Sequence, residues 1–374
     1  MAETAKTGQA LESLAAPSGD DTDVSAPWDE DNQAWWDWYV GLADNGLSRK
    51  QSDGDDQRMA VTLEPDPART PIPPMAILRQ ELAKPYPLSD SHIEAFAKTG
   101  FVKLPDLLSA GAVAALRQAI VVVLETEFDT RLDQPAARGL GAAPAAGRRF
   151  YSAEMAWLDN ALIRLFVLSP RIAGISAALL KVPAVRLYHD NLLSKEPGCG
   201  RTPWHFDDHH FPLATHDVVT AWIAAQAIPR AMGPLSFAGD IDAWRLVEDV
   251  PFSKADTSYD RRVGARFADA GVPIDDSPFA VGEVSFHHNL SFHTAGGNDT
   301  TLSRCALANT YFADGARIVD APTMVSGDWQ KFMPGTSPGA VAKSPLNPIC
   351  WPPAADWTMP PPAAAPQPNR SSSA

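Results

Sequence analysis

The run HDNLLSKEPGCGRTPWHFDDHHFPLATHDVVTAWIAA, residues 189–225, decides what kind of fold this chain adopts. Its two ends, HDNLLSK and VVTAWIAA, are short strand-like segments, and the residues between them are broken by Gly, Pro and Asp. At its centre TPWHFDDHH, Thr202 to His210, gathers three of the chain's nine histidines beside two aspartates. Residues two apart on a β-strand face the same way, so His205 and Asp207 are expected to project together while Phe206 faces the other side. A neutral imidazole and a carboxylate converging on one point offer two ligands to a divalent metal. A 2-His-1-carboxylate triad then needs one more imidazole and leaves three metal positions open.

Working outward, the same strand texture continues in AVRLYHDNLLSK (184–195), VVTAWIAAQA (218–227), GPLSFAG (233–239), FAVGEVSFHH (279–288) and RCALANTYF (304–312). Upstream the pattern is helical. LSDSHIEAFAKTG (88–100) opens on a Ser/Asp cap and closes on Gly100, SAGAVAALRQAIVVVLETEF (109–128) is capped by Ser109, and a third helix is expected over about 160–180, ahead of Pro183. FVKLP (101–105) between the first two reads as a short strand. Helices first and many short strands after predict a mainly β chain with flanking helices, in the α+β class, built as an antiparallel barrel or sandwich.

The ends of the chain differ from this body. Residues 1–26 are small, polar and acidic. Trp35, Trp38 and Tyr39 then recur at helical spacing within 28–45, which predicts an amphipathic helix that packs its aromatics onto the main domain or covers a substrate or partner. A polar and Pro-rich connector follows over 46–75, and beyond 340 the chain is rich in Pro, Ala and Ser, with Trp351 and Trp357 as anchors. The expected division is an N-terminal region 1–75, a folded domain 76–340 and a tail 341–374.

With 374 residues, 45% of them hydrophobic and 20% charged, the chain has the composition of a soluble globular enzyme. The net charge of -14 argues against general binding to nucleic acid or anionic membranes, both of which need basic patches. Cys199, Cys305 and Cys350 have no CxxC spacing, so neither a disulfide framework nor a thiolate metal site is expected, and a cytoplasmic location fits. No apolar run reads as membrane-spanning and the N-terminus lacks the pattern of a secretory signal.

The third imidazole has a candidate in FHHNLSFHTAGGNDTTLSRCALANTYF, where His293 precedes the AGGN turn and Arg304 heads the next strand-like run. An HxD pair alone is a common pattern, a lone His at a strand end is usually a satisfied core or surface residue, and a lone Arg is usually a solvated charge. HxD, a long insert, a His and then an Arg, all in the β-rich half, is far rarer by chance. A rigid planar guanidinium facing inward is suited to clamp the distal carboxylate of 2-oxoglutarate, whose other end chelates the metal.

On these residues the chain resembles the phytanoyl-CoA dioxygenase family of iron(II)/2-oxoglutarate-dependent oxygenases, from about Leu88 to Phe312. IEAFAKTGFVKLPDLLSAGAVAALRQAI is similar to the family's opening, the run from 189 to 225 to its WHxD region, and HTAGGNDTTLSRCALANTYF to its HxSGPN…R segment. The resemblance implies a double-stranded β-helix of the jelly-roll or cupin type. It implies iron(II) held by His205, Asp207 and His293, and Arg304 as the 2-oxoglutarate anchor, with Asn191, Trp222 and Ala295 as further co-substrate contacts. It implies dioxygen as the oxidant, with succinate and carbon dioxide as products beside a hydroxylated substrate. Ala295 replaces the family's common serine, Phe206 stands where Gln is frequent, and SFAGD (236–240) departs from the usual glycine-serine-histidine ending. Halogenating relatives lack the carboxylate, so Asp207 disfavours that chemistry.

Other residues have weaker claims. His209 and His210 are placed at the pocket entrance as substrate contacts or solvated side chains. His189 and Lys195 share the strand face of Asn191, so Lys195 also becomes a candidate substrate contact. His287 and His288 are expected to pack or to hydrogen-bond behind the metal ligands. Desaturation, epimerisation and ring formation share the same site chemistry with hydroxylation, and a silent barrel acting as a binding module is the non-enzymatic alternative. The charged segment 240–280 is where specificity is expected, since loops that cap barrels commonly set it. The expected partner is a small organic substrate, with neither nucleic acid nor membrane, and the sequence carries no signature of oligomeric state.

Overall fold

Helices begin where short polar side chains cap them. The computed structural model describes residues 70–132, 150–250, 258–322 and 329–360; the Trp-rich segment at 28–45 lies outside them. Helix α1 (Met75–Ala83) follows Pro74 and buries Leu78 and Leu82, one turn apart, so the Pro-rich connector runs directly into a helix that the sequence reading did not anticipate. Helix α2 (Asp90–Thr99) is capped by Ser89 in a box with His92 and stops at Gly100 in the left-handed conformation. Ser109 caps α3 (Ala110–Glu127) through the backbone N–H of Ala112.

The single helix expected over 160–180 is two. Asn160 caps α4 (Ala161–Val167), and Ser169 with Pro170 at the first position starts α5 (Pro170–Leu180). The span Ala161–Leu180 is long and apolar enough to match a membrane-crossing segment, contrary to the expectation that no run would; 78% of its apolar window is buried inside this fold.

All strand pairings are antiparallel. The larger sheet runs β1 (Phe101–Leu104), β8 (Val284–His288), β5 (Val218–Ala224), β10 (Arg304–Ala313), β3 (Val185–Lys195), β11 (Ile349–Trp351), with β2 (Phe150–Glu154) also on the outer edge of β3. The smaller sheet runs β4 (Thr202–His205), β9 (His293–Ala295), β6 (Leu235–Ala238), β7 (Ile274–Asp275). Residues beyond 340 thus add β11 to the sheet, and Trp351 and Trp357 pack on the main core. The two sheets face each other without closing into a continuous barrel, as a double-stranded β-helix of the jelly-roll type.

Helices α3, α4 and α5 cover the outer face of the larger sheet, and Tyr311 Oη donates to Val167 O (2.8 Å) to tie β10 to the end of α4. Between the sheets Trp222, Phe279, Leu235, Phe237 and Ala295 form a smaller apolar cluster. Outside the smaller sheet Trp204 and Phe292 pack against Phe267 of α6 (Ser258–Asp269), and Phe206 packs on Phe292. The segment expected to be irregular therefore contains a docked helix and a short strand.

Asp190 of β3 is fully buried; its Oδ2 accepts from the backbone N–H of Ala156 (3.0 Å), while Oδ1 meets no hydrogen-bond partner among the described residues. Burial pushes its pKa from 3.8 up to about 7. Between those values the native chain keeps a proton that the unfolded chain has released, so stability present at low pH is lost as pH rises through about 7. From pH 5 to 8 the parent protein is expected to lose about 2–3 kcal/mol relative to Asp190→Asn in urea unfolding. Parallel stability curves for the two proteins would exclude Asp190 as the titrating group.

Candidate active site

Strand β4 ends at His205, and Asp207 sits beyond it at the start of a tight turn (φ -90, ψ -11) rather than on the strand as expected. Convergence comes from the turn. The backbone N–H groups of Asp207 and Asp208 both donate to Asn289 O (2.9 and 3.0 Å), and Asn289 Nδ2 donates to Asp208 Oδ1 (2.6 Å). His293 opens β9, which pairs with β4 so that His205 and His293 are direct partners. One ligand atom from each of His205, Asp207 and His293 lies within 4.8 Å of the other two. His205 Nε2 and His293 Nε2 are 3.7 and 3.9 Å from Asp207 Oδ1.

Backbone carbonyls fix both tautomers. His205 Nδ1 lies 2.8 Å from Pro203 O and His293 Nδ1 lies 2.9 Å from Ser291 O. A carbonyl only accepts, so each Nδ1 carries the hydrogen and each Nε2 keeps a lone pair towards Asp207. Burial lowers the pKa of His205 to about 4 and that of His293 well below its usual value, which leaves both rings neutral. Burial opposes ionisation of Asp207, but a hydrogen bond from His287 favours the charged form, and its pKa lies well below the usual carboxylate range. Two neutral nitrogens and one carboxylate are a fitting donor set for a divalent first-row metal. His287 stands behind the ligands as expected: its Nε2 lies 3.5 Å from Asp207 Oδ2, so it steadies the carboxylate's second oxygen.

These residues open on a cavity of about 500 Å³ between the sheets. Arg304, at the start of β10, lines it at 2% exposure. Its Nη1 donates to Gly233 O (2.8 Å) and its Cζ lies 5.3 Å from the centre of the Trp222 ring. It has no carboxylate partner among the described residues, and its buried Nε has no hydrogen-bond acceptor there. Burial pushes its pKa down to about 10, so it stays charged at neutral pH. A buried guanidinium without an anion is costly and fits the carboxylate of a bound ligand.

Trp222, Asn191 and Ala295 line the same cavity. Ser152 Oγ donates to Asn191 Oδ1 (2.9 Å), which leaves the amide NH2 of Asn191 as a donor. The four residues named for 2-oxoglutarate are thus brought together.

The substrate candidates divide. His210 lines the cavity, whereas His209 lies against Phe206 (ring centres 5.1 Å) and is not among the described lining residues. Lys195 is a correction: it is fully buried, and its Nζ donates to Gly200 O and Gly296 O (both 3.0 Å), bracing two loops instead of facing the cavity. Described residues between 240 and 280 also contribute nothing to the wall, because α6 packs on the outer face of the smaller sheet. His288 packs by Phe96 (6.0 Å), away from the site.

Comparison with known proteins places this arrangement among oxygenases. A family model described as Phytanoyl-CoA dioxygenase (PhyH) matches residues 96–306. Methylphosphonate hydroxylase of Gimesia maris is 25% identical over 226 residues, covering 60% of this chain and 81% of that protein. The crystal structure of the non-heme alpha-ketoglutarate-dependent carbocyclase SnoK from nogalamycin biosynthesis superposes with a TM-score of 0.55 at 26% identity, covering 71% of this chain and 99% of that one. EctD from S. alaskensis with 2-oxoglutarate and 5-hydroxyectoine shares the fold (TM-score 0.52, 17% identity, 79% of this chain and 96% of that one).

Gly233 (φ +72) supplies the carbonyl that holds Arg304, and a Cβ there would run into the carbonyl oxygen of Gly296. Gly233→Ala is expected to cost at least about 2 kcal/mol in chemical denaturation. Gly264→Ala in α6, where a Cβ meets nothing within 4 Å, should instead stabilise by about 0.5–1 kcal/mol. Equal effects would show that the Gly233–Gly296 approach does not constrain the site.

Proposed function

This chain belongs to the phytanoyl-CoA dioxygenase family, and from that premise we propose an iron(II)- and 2-oxoglutarate-dependent oxygenase in which His205, Asp207 and His293 hold the metal and Arg304 anchors the co-substrate. The observation that carries this reading is a buried guanidinium without a carboxylate partner, in one cavity with two neutral imidazoles and a carboxylate. Iron, when bound, supplies dioxygen activation coupled to the conversion of 2-oxoglutarate into succinate and carbon dioxide.

The chain's own residues orient and exclude. Pro203 O and Ser291 O keep the two Nε2 lone pairs aimed inward, and His287 steadies the second oxygen of Asp207. Arg304 supplies the charge that matches the co-substrate's distal carboxylate, with Trp222 flanking the guanidinium. The Asn191 amide offers a donor, and Ala295 leaves room where a larger side chain would stand. Apolar walls between the sheets keep bulk water from the reacting C–H bond.

Hydroxylation of an unactivated C–H bond in a small organic molecule is the favoured outcome, and the hydroxylase relative supports it. The carbocyclase neighbour favours ring formation as the second outcome on the same site. A cytoplasmic location belongs to the same proposal; all three cysteines are buried and none forms a disulfide.

Anaerobic addition of iron(II) and then 2-oxoglutarate should produce a weak visible charge-transfer band, absent in His205→Ala. Loss of Arg304 in Arg304→Met should raise the 2-oxoglutarate concentration required by at least about tenfold, the scale of a lost charge-assisted pair, with iron binding retained. Bound iron with no band would leave a binding module, and an unchanged requirement would remove Arg304 from the anchoring role.

A further inference from the structure

The cavity continues past the triad, away from Arg304. Arg304 pairs with Lys195, and six positions along β10 Thr310 pairs with His189, about 20 Å further at the rise of a strand. His287, Thr220, Thr310 and His189 form one row across the larger sheet, so His189 stands level with the imidazole beside Asp207. Just beyond it the register slips from Thr310–His189 to Tyr311–Leu187, leaving Tyr188 as an extra residue in β3. Such a bulge re-aims side chains, and Tyr188 and His189, although adjacent on a strand, both line the cavity.

Among the described residues this end is lined by aromatic rings and one matched ion pair. Tyr188 packs edge-on against Phe211 (4.9 Å), and His189 is stacked on Phe332 (4.7 Å, 25°) of α7 (Trp329–Phe332). Lys331 is the cation lining this end among the described residues, and its Nζ is paired with Glu154 Oε2 (2.9 Å). Among the described residues, an anionic substrate, or the phosphates of an acyl-CoA, would have to compete with that carboxylate for Lys331. His189 Nδ1 lies 3.2 Å from Asp190 O, so the hydrogen is on Nδ1 and Nε2 is the acceptor. Burial lowers its pKa and keeps the ring neutral.

We infer that this chamber takes a neutral, hydroxyl-bearing ring compound whose hydroxyl donates to His189 Nε2 and whose ring lies among Tyr188, Phe211 and Phe332. The inference rests on the oxygenase reading for the role of its occupant as substrate, and on the chamber alone for its chemistry.

Three probes of one ring size test it: 2-naphthol, 2-methoxynaphthalene, which cannot donate, and 2-naphthoate, which is an anion. Binding is followed by ligand-detected NMR, anaerobically, in iron(II)- and 2-oxoglutarate-loaded protein and again in iron-free protein. 2-Naphthol should bind about five- to tenfold more tightly than either analogue, the scale of one hydrogen bond. His189→Phe, which keeps a stacked ring, should erase that preference and leave binding of the methyl ether unchanged. His189→Gln, which keeps an acceptor, should restore part of it.

Equal binding of the three probes, preference for the anion, no binding at all, or an unaltered preference in His189→Phe would each overturn the inference. The charge-transfer band recorded on the same samples separates the two readings. A band without naphthol selectivity sinks only the substrate class. Selectivity without a band sinks only the oxygenase assignment.

Discussion

Pairing between β3 and β10 sets the distances on which the rest of the cavity depends. The two strands run together from Arg304–Lys195 to Ala313–Val185, so their inward residues form a fixed ladder from the guanidinium to His189. β5 joins the same ladder, which sets Trp222 beside Ala308 and Thr220 beside Thr310. Ala306 and Ala308 are small where β10 passes between its two ends, and small side chains there keep the space between the sheets open. A shift of one residue in this register would turn Arg304 outward, towards the helical layer. The site's geometry is therefore a property of the sheet before it is a property of any single side chain.

Two basic side chains face each other at the end of that ladder, and their environments divide the labour. Lys195 and Arg304 are both almost fully buried, an arrangement that disfavours charge on both at once. Burial beside Arg304 pushes the Lys195 amine well below its usual pKa, and its Nζ donates to the carbonyls of Gly200 and Gly296, which holds the loops around β4 and β9 in place. Arg304 has one carbonyl and the face of Trp222, and part of its fork is left over. An anion that fills that fork stabilises the fold by as much as it binds, since the unfolded chain offers no such site.

Much of this was legible in the sequence, for physical reasons that differ between elements. The caps at Ser89 and Ser109 and the glycine at 100 set helix ends by local chemistry, and local chemistry is what a sequence displays. The triad and Arg304 were legible because their spacing carries a family resemblance, although the strand argument for Asp207 had the wrong cause: the carboxylate is turned inward by Asn289, more than eighty positions away. Lys195 was misread because alternation along β3 predicts the face a side chain leaves from and not the carbonyls waiting to hold it. His287 was legible as a residue behind the ligands, while the carboxylate oxygen it meets is set by the fold that brings β8 to Asp207. The break at Ser169–Pro170 carries a cap-and-proline signal inside an apolar run that otherwise reads as one helix.

The location of specificity is the sharpest case of non-local control. The segment at 240–280 is charged, looks like an insertion and sits between two strands, yet its helix buries Val263 and Phe267 against Trp204 and Phe292 on the outer face of the smaller sheet. A helix whose apolar face is occupied there cannot also reach into the cavity. The wall beyond the triad is supplied instead by the bulged end of β3, by Glu154 of β2 and by Lys331 and Phe332 of α7, residues remote from one another in sequence. None of them is a metal ligand or touches Arg304, so changes in this wall alter what is bound without disturbing how iron and 2-oxoglutarate are held. In this arrangement the substrate wall and the Arg304 end of the β3–β10 ladder are separate parts of one cavity.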